Sequence, residues 1–145
     1  IARRFMKLRY RLLPYIDAAI VEAQKTGLPV MRAMALAYPD DRASWAFEDQ
    51  YMFGPDILVA PVLRAGGSVS YYLPSGRWWN FFTGKAVEGG RAITETVPLE
   101  EIPVFVRDGA AVEMGPEVSH TGELGGKIIV DGVLSYGNGE LLQRG

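Results

Sequence analysis

The sequence predicts a mainly β protein, an antiparallel β-sandwich preceded by one helix and one strand of a parallel α/β unit. Three observations carry this reading. Residues 57–63 (ILVAPVL) are apolar at every position, so both faces of a strand there meet protein rather than water. Residues 69–114 break into short apolar runs separated by Gly, Pro and Asp turn signals, the pattern of an antiparallel sandwich. Ahead of both, Phe5, Leu8, Leu12, Tyr15, Ala19 and Ala23 recur at helical spacing.

The helix carries Arg3, Arg4, Lys7, Arg9 and Arg11 between its apolar positions. Pro14 removes one i→i−4 bond and is expected to kink the helix rather than end it, because the periodicity continues to Gln24. Gly27 is the expected C-terminal cap. Residues 28–36 (LPVMRAMAL) read as a short, mostly buried strand with one charge, Arg32. A single helix–strand step cannot make a parallel sheet, so its partner strands are expected outside this chain. Tyr38-Pro39-Asp40-Asp41 is a turn, with Asp40 or Asp41 placed to cap a short helix over 42–47.

Pro61 cannot donate to a ladder and marks a crossing between two structural units. After the Gly66-Gly67 break, strands are expected at 69–73 and 77–83 around the turn Pro74-Ser75-Gly76. Residues 91–99 alternate and leave one face wet, and 102–106 and 110–114 flank the turn Arg107-Asp108-Gly109. Toward the end, 127–130 (KIIV) reads as a strand, followed by a turn-rich tail through Ser135-Tyr136-Gly137-Asn138-Gly139.

Composition narrows the function classes. A chain of 145 residues with 48% hydrophobic and 22% charged residues can bury the core of an ordinary globular domain. A net charge of −2 gives no footprint for nucleic acid or an anionic membrane, and no apolar run is long enough to span a bilayer. Without cysteine there is no disulfide, thiol nucleophile or Cys-ligated zinc, and the compartment stays open. The chain starts at Ile1 already inside a helical pattern, and is read as a piece of a longer polypeptide, so that any targeting signal would lie upstream.

The motif Asp49-Gln50-Tyr51-Met52-x-Gly54, followed by Ile57-Leu58-Val59-Ala60-Pro61-Val62, resembles the junction of barrel and C-terminal β-domain in glycoside hydrolase family 31. The likeness runs from about Phe5 to Glu123. Residues 9–16 (RYRLLPYI) are similar to a late barrel helix, and Gly27-x-Pro29-Val30-Met31-Arg32 to the final barrel strand. Tyr72-Leu73-Pro74-x-Gly76-x-Trp78, Phe82-Thr83-Gly84, Gly89-Gly90 and residues 98–109 resemble the proximal C-terminal sandwich. Met114-Gly115-Pro116 with Thr121-x-Glu123 is closer to the α-xylosidases of the family than to its α-glucosidases.

The resemblance implies that 1–48 is the last helix–strand–helix of a (β/α)8 catalytic barrel, incomplete here, and that 49–145 is the proximal C-terminal β-sandwich domain. It implies a parent enzyme that is a retaining α-glycosidase with two aspartates, their carboxyl groups about 5–5.5 Å apart. Both lie on barrel strands upstream, so this chain is expected to hold no catalytic, substrate-binding or metal residues and to need no cofactor. The oligosaccharide substrate is then bound mainly by the upstream barrel. No nucleic acid or membrane partner is implied. The stripe of Phe5, Leu8, Leu12 and Tyr15, lacking its barrel, is expected to be bare and to favour self-association.

Individual residues are weighed against this frame. Asp40-Asp41, Glu48-Asp49 and Glu100-Glu101 are adjacent carboxylates, which point apart in a strand and do not face each other on a helix, so they read as caps or solvated charges. Arg32 is either a clamp on a carboxylate at the barrel mouth or a structural ion pair cementing barrel to sandwich. The second is expected, with Asp49 as a candidate partner. His120, the sole histidine, sits in a polar turn with no partners for a triad or a zinc site, and reads as a surface residue. Tyr71, Tyr72, Trp78, Trp79, Phe81 and Phe82 read as packing aromatics. The alternative is a non-catalytic carbohydrate-binding or structural sandwich using those rings as a sugar platform.

Overall fold

The computed structural model describes residues 1–137 and the backbone of residues 140–144. The chain forms two compact units, Leu28–Asp108 and a second that joins Ile1–Gly27 to Gly109–Gly145.

The larger unit is an antiparallel sandwich. Its strands are β1 (Met31–Ala33), β2 (Tyr51–Phe53), β3 (Ile57–Val59), β4 (Ser68–Leu73), β5 (Arg77–Asn80), β6 (Ala86–Glu88), β7 (Arg91–Thr96) and β8 (Val104–Arg107). Six of them make one sheet in the order β1-β2-β3-β8-β5-β6, and β4 with β7 makes a two-stranded second layer. Registers Arg32↔Met52, Met52↔Leu58 and Leu58↔Phe105 place one row of side chains on one face of the large sheet. Met52, Leu58 and Phe105 of that row, with Trp78, pack on Val69, Tyr71 and Leu73 of β4 to form the core. The opposite face carries Met31, Phe53, Ile57, Val106 and Trp79 in register, so both faces of β3 meet protein as expected, but the strand ends at Val59, short of the expected Leu63, which is exposed.

The smaller unit holds α1 (Ala2–Arg11), α2 (Leu13–Thr26), β9 (Ala111–Met114), β10 (Gly132–Gly137) and β11 (Glu140–Arg144), with its sheet in the order β11-β10-β9. Pro14 in the first turn of α2 follows a break at Leu12, the expected kink. Gly27 closes α2 in the left-handed conformation, φ +77°, with its N–H donating to the Ala23 carbonyl. α2 packs on β9, which buries Leu12, Tyr15 and Ala19, while Phe5 and Leu8 are half-buried. The expectation of a wholly bare helical stripe is therefore corrected: half of it finds cover within this chain. Gly115 N–H donates to the Arg11 carbonyl, Arg11 Nε returns a 3.4 Å bond to the Gly115 carbonyl, and Lys7 pairs with Glu117.

Other expectations change as well. The 28–36 strand shrinks to β1, because Met34–Ala37 turns into α3, a short helix of Met, Ala and Leu with no β-branched residue to hold an extended chain. β1 also finds its neighbour inside the chain, pairing antiparallel with β2. The 42–47 helix is only a single 3₁₀ turn, Ser44–Ala46, and neither Asp40 nor Asp41 caps it with a side chain; Ser44 Oγ donates to the Asp41 carbonyl instead.

Residues 127–130 are not a strand. β9 ends at Met114, since the Gly115 N–H is taken by Arg11 and Pro116 has none, so the ladder offers nothing opposite KIIV. Ile128, Ile129 and Val130 are left exposed, and pairing resumes at Gly132. Ser135, Tyr136 and Gly137, expected in a turn-rich tail, belong to β10 instead, and Asn138-Gly139 lie outside the described residues. β8 and β9, on either side of the Arg107-Asp108-Gly109 turn, belong to different sheets.

Candidate functional site

The aromatic cluster is core. Trp78 is 1% exposed and its indole N–H donates to the Pro74 carbonyl at 2.8 Å; Trp79 is 3% exposed and donates to Asp108 Oδ1 at 2.6 Å. Tyr71, Tyr72 and Phe81 are buried, and Phe82 is half-buried edge-on to Phe81. A sugar platform built on these rings is excluded by their burial. Each indole satisfies its one donor locally, which lets a large ring enter a core without an orphaned N–H.

Gln50 is the residue that sequence reasoning missed. It is buried between the turn at residues 47–50 and β4, where its Nε2 donates to the Tyr72 carbonyl at 2.8 Å and its Oε1 accepts from the Tyr72 N–H at 2.7 Å. The side-chain amide thus copies a β-bridge for a backbone position of β4. Its signal in the sequence is slight: one amide ahead of the all-apolar segment, with a partner 22 residues away.

Arg32 is 5% exposed and its Nε donates to the Pro29 carbonyl at 2.9 Å. Asp49 is not its partner. Arg32 lines a hollow of about 200 Å³ with Tyr38, Pro55 and Arg107, whereas Asp49 is exposed on a different hollow. Arg107 pairs with Asp56 at 2.7 Å at the mouth of the first hollow. Burial raises the Tyr38 hydroxyl above its ordinary pKa there, opposed by the Arg107 charge.

The second hollow, of about 400 Å³, lies between residues 46–49 and 61–70; Phe47, Leu63 and Val69 give it an apolar surface, and Glu48, Asp49 and Arg64 give it charge. Asp40 and Asp41 line a third hollow with Tyr38, Pro74 and Ser75. Glu100 and Glu101 are exposed in a turn, and His120 is exposed with Nε2 3.6 Å from Glu123 Oε1. Among the described residues no group of three or more Asp, Glu or His could hold a metal ion.

These features define a class: a β-sandwich domain with an aromatic core. Residues 27–112 match the family model "Glycosyl hydrolase family 31 C-terminal domain". The chain is 40% identical to an isomaltosyltransferase of Sporosarcina globispora over 86% of its own length and 11% of that relative's. It superposes on a family 31 dextranase of Flavobacterium johnsoniae with a TM-score of 0.74 at 38% identity, over 77% of this chain and 14% of that one. A family 31 α-xylosidase from a soil metagenome, solved with xylose, gives a TM-score of 0.68 at 50% identity, over 72% of this chain and 16% of that one. The chain belongs to glycoside hydrolase family 31 and spans only a small fraction of the length of these relatives.

Proposed function

We propose that this chain is the C-terminal portion of a retaining α-glycoside hydrolase, an α-xylosidase that removes terminal α-linked xylose from oligosaccharides. In this reading the N-terminal helices complete the catalytic barrel and the sandwich that begins at Leu28 braces it, while the nucleophile and the acid/base come from upstream strands. The match of residues 27–112 to the family's C-terminal domain carries the reading. The 50% identity to an α-xylosidase and the Met114-Gly115-Pro116 and Thr121-x-Glu123 motifs support xylose over glucose. The adjacent carboxylates of this chain, most of them exposed, support an upstream origin for the catalytic pair, which needs two carboxyls facing one sugar across about 5–5.5 Å.

The test is hydrolysis of p-nitrophenyl α-xyloside and α-glucoside by the full polypeptide containing this segment and by the 145-residue chain alone. The full polypeptide is expected to cleave the xyloside faster, and the chain alone to cleave neither. Turnover by the isolated chain that survives repurification overturns the upstream-carboxylate reading, and a preference for the glucoside overturns the xylosidase assignment.

A further inference from the structure

We infer that the cleft between residues 46–49 and 61–70 is a binding site for a neutral saccharide. Its volume of about 400 Å³ lies in the range of small-molecule sites, roughly 300–1,000 Å³. Its surface has two kinds of chemistry. Phe47 and Leu63 supply an apolar wall, and the Phe47 ring is already fixed by stacking on Tyr72, with centroids 5.8 Å apart and planes 26° from parallel. Glu48, Asp49 and Arg64 converge on the same cleft, and none of the three side chains hydrogen-bonds or ion-pairs with another described residue.

A pyranose has the matching two-sided chemistry, an apolar C–H face and a rim of hydroxyls that both donate and accept. Carboxylates only accept and a guanidinium only donates, so a hydroxylated rim can satisfy all three side chains at once. Two carboxylates beside one guanidinium repel an anion. A metal ion lacks a set of three carboxylate or imidazole ligands here among the described residues. A neutral polyol meets the carboxylates and the guanidinium through hydrogen bonds alone. The choice of a saccharide among polyols rests on the α-glycosidase reading above.

The test is titration of the ¹⁵N-labelled chain with isomaltose and with methyl α-xyloside, followed by amide chemical shifts. Saturable shifts are expected at residues 46–49 and 61–70, and the double variant Asp49→Asn with Arg64→Met is expected to weaken binding at least ~10-fold. Both side chains are exposed, and unchanged shifts elsewhere verify that the variant keeps its fold. If it does not, the wild-type map decides alone. No saturable shift at these amides up to tens of millimolar saccharide, shifts confined elsewhere, or undiminished binding by the folded variant overturns the site. A full polypeptide that hydrolyses α-glycosides while the cleft stays silent overturns this inference alone. A cleft that fills in a polypeptide without glycosidase activity overturns the activity reading alone.

Discussion

At the scale of single residues, Gln50 shows how a buried polar side chain can be worth more than its own burial. β4 has one strand neighbour, β7, yet its Tyr72 backbone also needs partners because that residue is buried. Gln50 gives Tyr72 both an acceptor and a donor, at 2.7 and 2.8 Å. Replacing it by Leu keeps the volume and strands a buried N–H and C=O together, each costing roughly 1–3 kcal/mol. Gln50→Leu is therefore expected to lower stability by about 2–4 kcal/mol. In urea this reads as a lower midpoint at an unchanged m-value. A change within a few tenths of a kcal/mol would show that water or a backbone shift replaces the amide. None of this was legible in the sequence, since a glutamine announces its role only through the partner the fold brings to it.

Elements were legible where local chemistry and long-range demand agreed. Residues 57–59 open an all-apolar run, and the strand they form, with β2 on one side and β8 on the other, is what such a sequence needs. They were illegible where a remote partner decided the outcome. KIIV has strand-forming residues, but its extent was settled by Pro116 and by the Arg11–Gly115 bond on another segment. Residues 34–37 went to helix because Met, Ala and Leu favour it once the three-residue pairing with β2 is spent. The cleft residues Glu48 and Asp49 read as solvated charges because sequence carries no sign of a concave wall beside them.

The connections between the two sandwich layers also live at this scale. The chain crosses at Pro74-Ser75-Gly76, from β4 to β5, and returns at Gly89-Gly90, from β6 to β7. These turns lie backbone against backbone: Gly89 N–H donates to the Gly76 carbonyl and Gly90 N–H to the Leu73 carbonyl, both at 2.7 Å. A Cβ on Gly89 would stand 1.9 Å from the Pro74 oxygen and 2.8 Å from the Gly76 oxygen. Backbone cannot step aside as a flexible side chain can, so Gly89→Ala must part the two turns. The expected cost is about 1–3 kcal/mol, the range of overpacked sites. Thermal unfolding of the variant measures it; an unchanged midpoint would mean that the turns are not held together as described.

At the scale of the whole molecule, the union of Ile1–Gly27 with the segment after Gly109 rests on contacts such as Lys7–Glu117 and Arg11–Gly115, more than a hundred positions apart. No local pattern encodes such a closure, and each unit is conveniently reported by its own buried tyrosine. Tyr71 belongs to the sandwich unit, where burial, then the hydrogen bond its hydroxyl donates to Glu95 at 2.7 Å, pushes its pKa far up. Tyr136 belongs to the other unit; burial alone raises it, and its hydroxyl has no partner among the described residues. In both cases the fold keeps a proton that the open chain releases near pH ~10. Stability is thus fully present below that pH and falls as pH rises above it, by up to about 1.4 kcal/mol per pH unit for each such tyrosine. Tyr136→Phe removes one titrating group together with an unsatisfied hydroxyl. The variant should be no less stable than the parent at pH 7, and its stability should fall less steeply between pH ~10 and pH ~12 by as much as one proton's slope. Urea unfolding at a series of alkaline pH values, followed through both units, is the measurement. Parallel pH profiles for parent and variant would show that the Tyr136 hydroxyl reaches water in the folded chain.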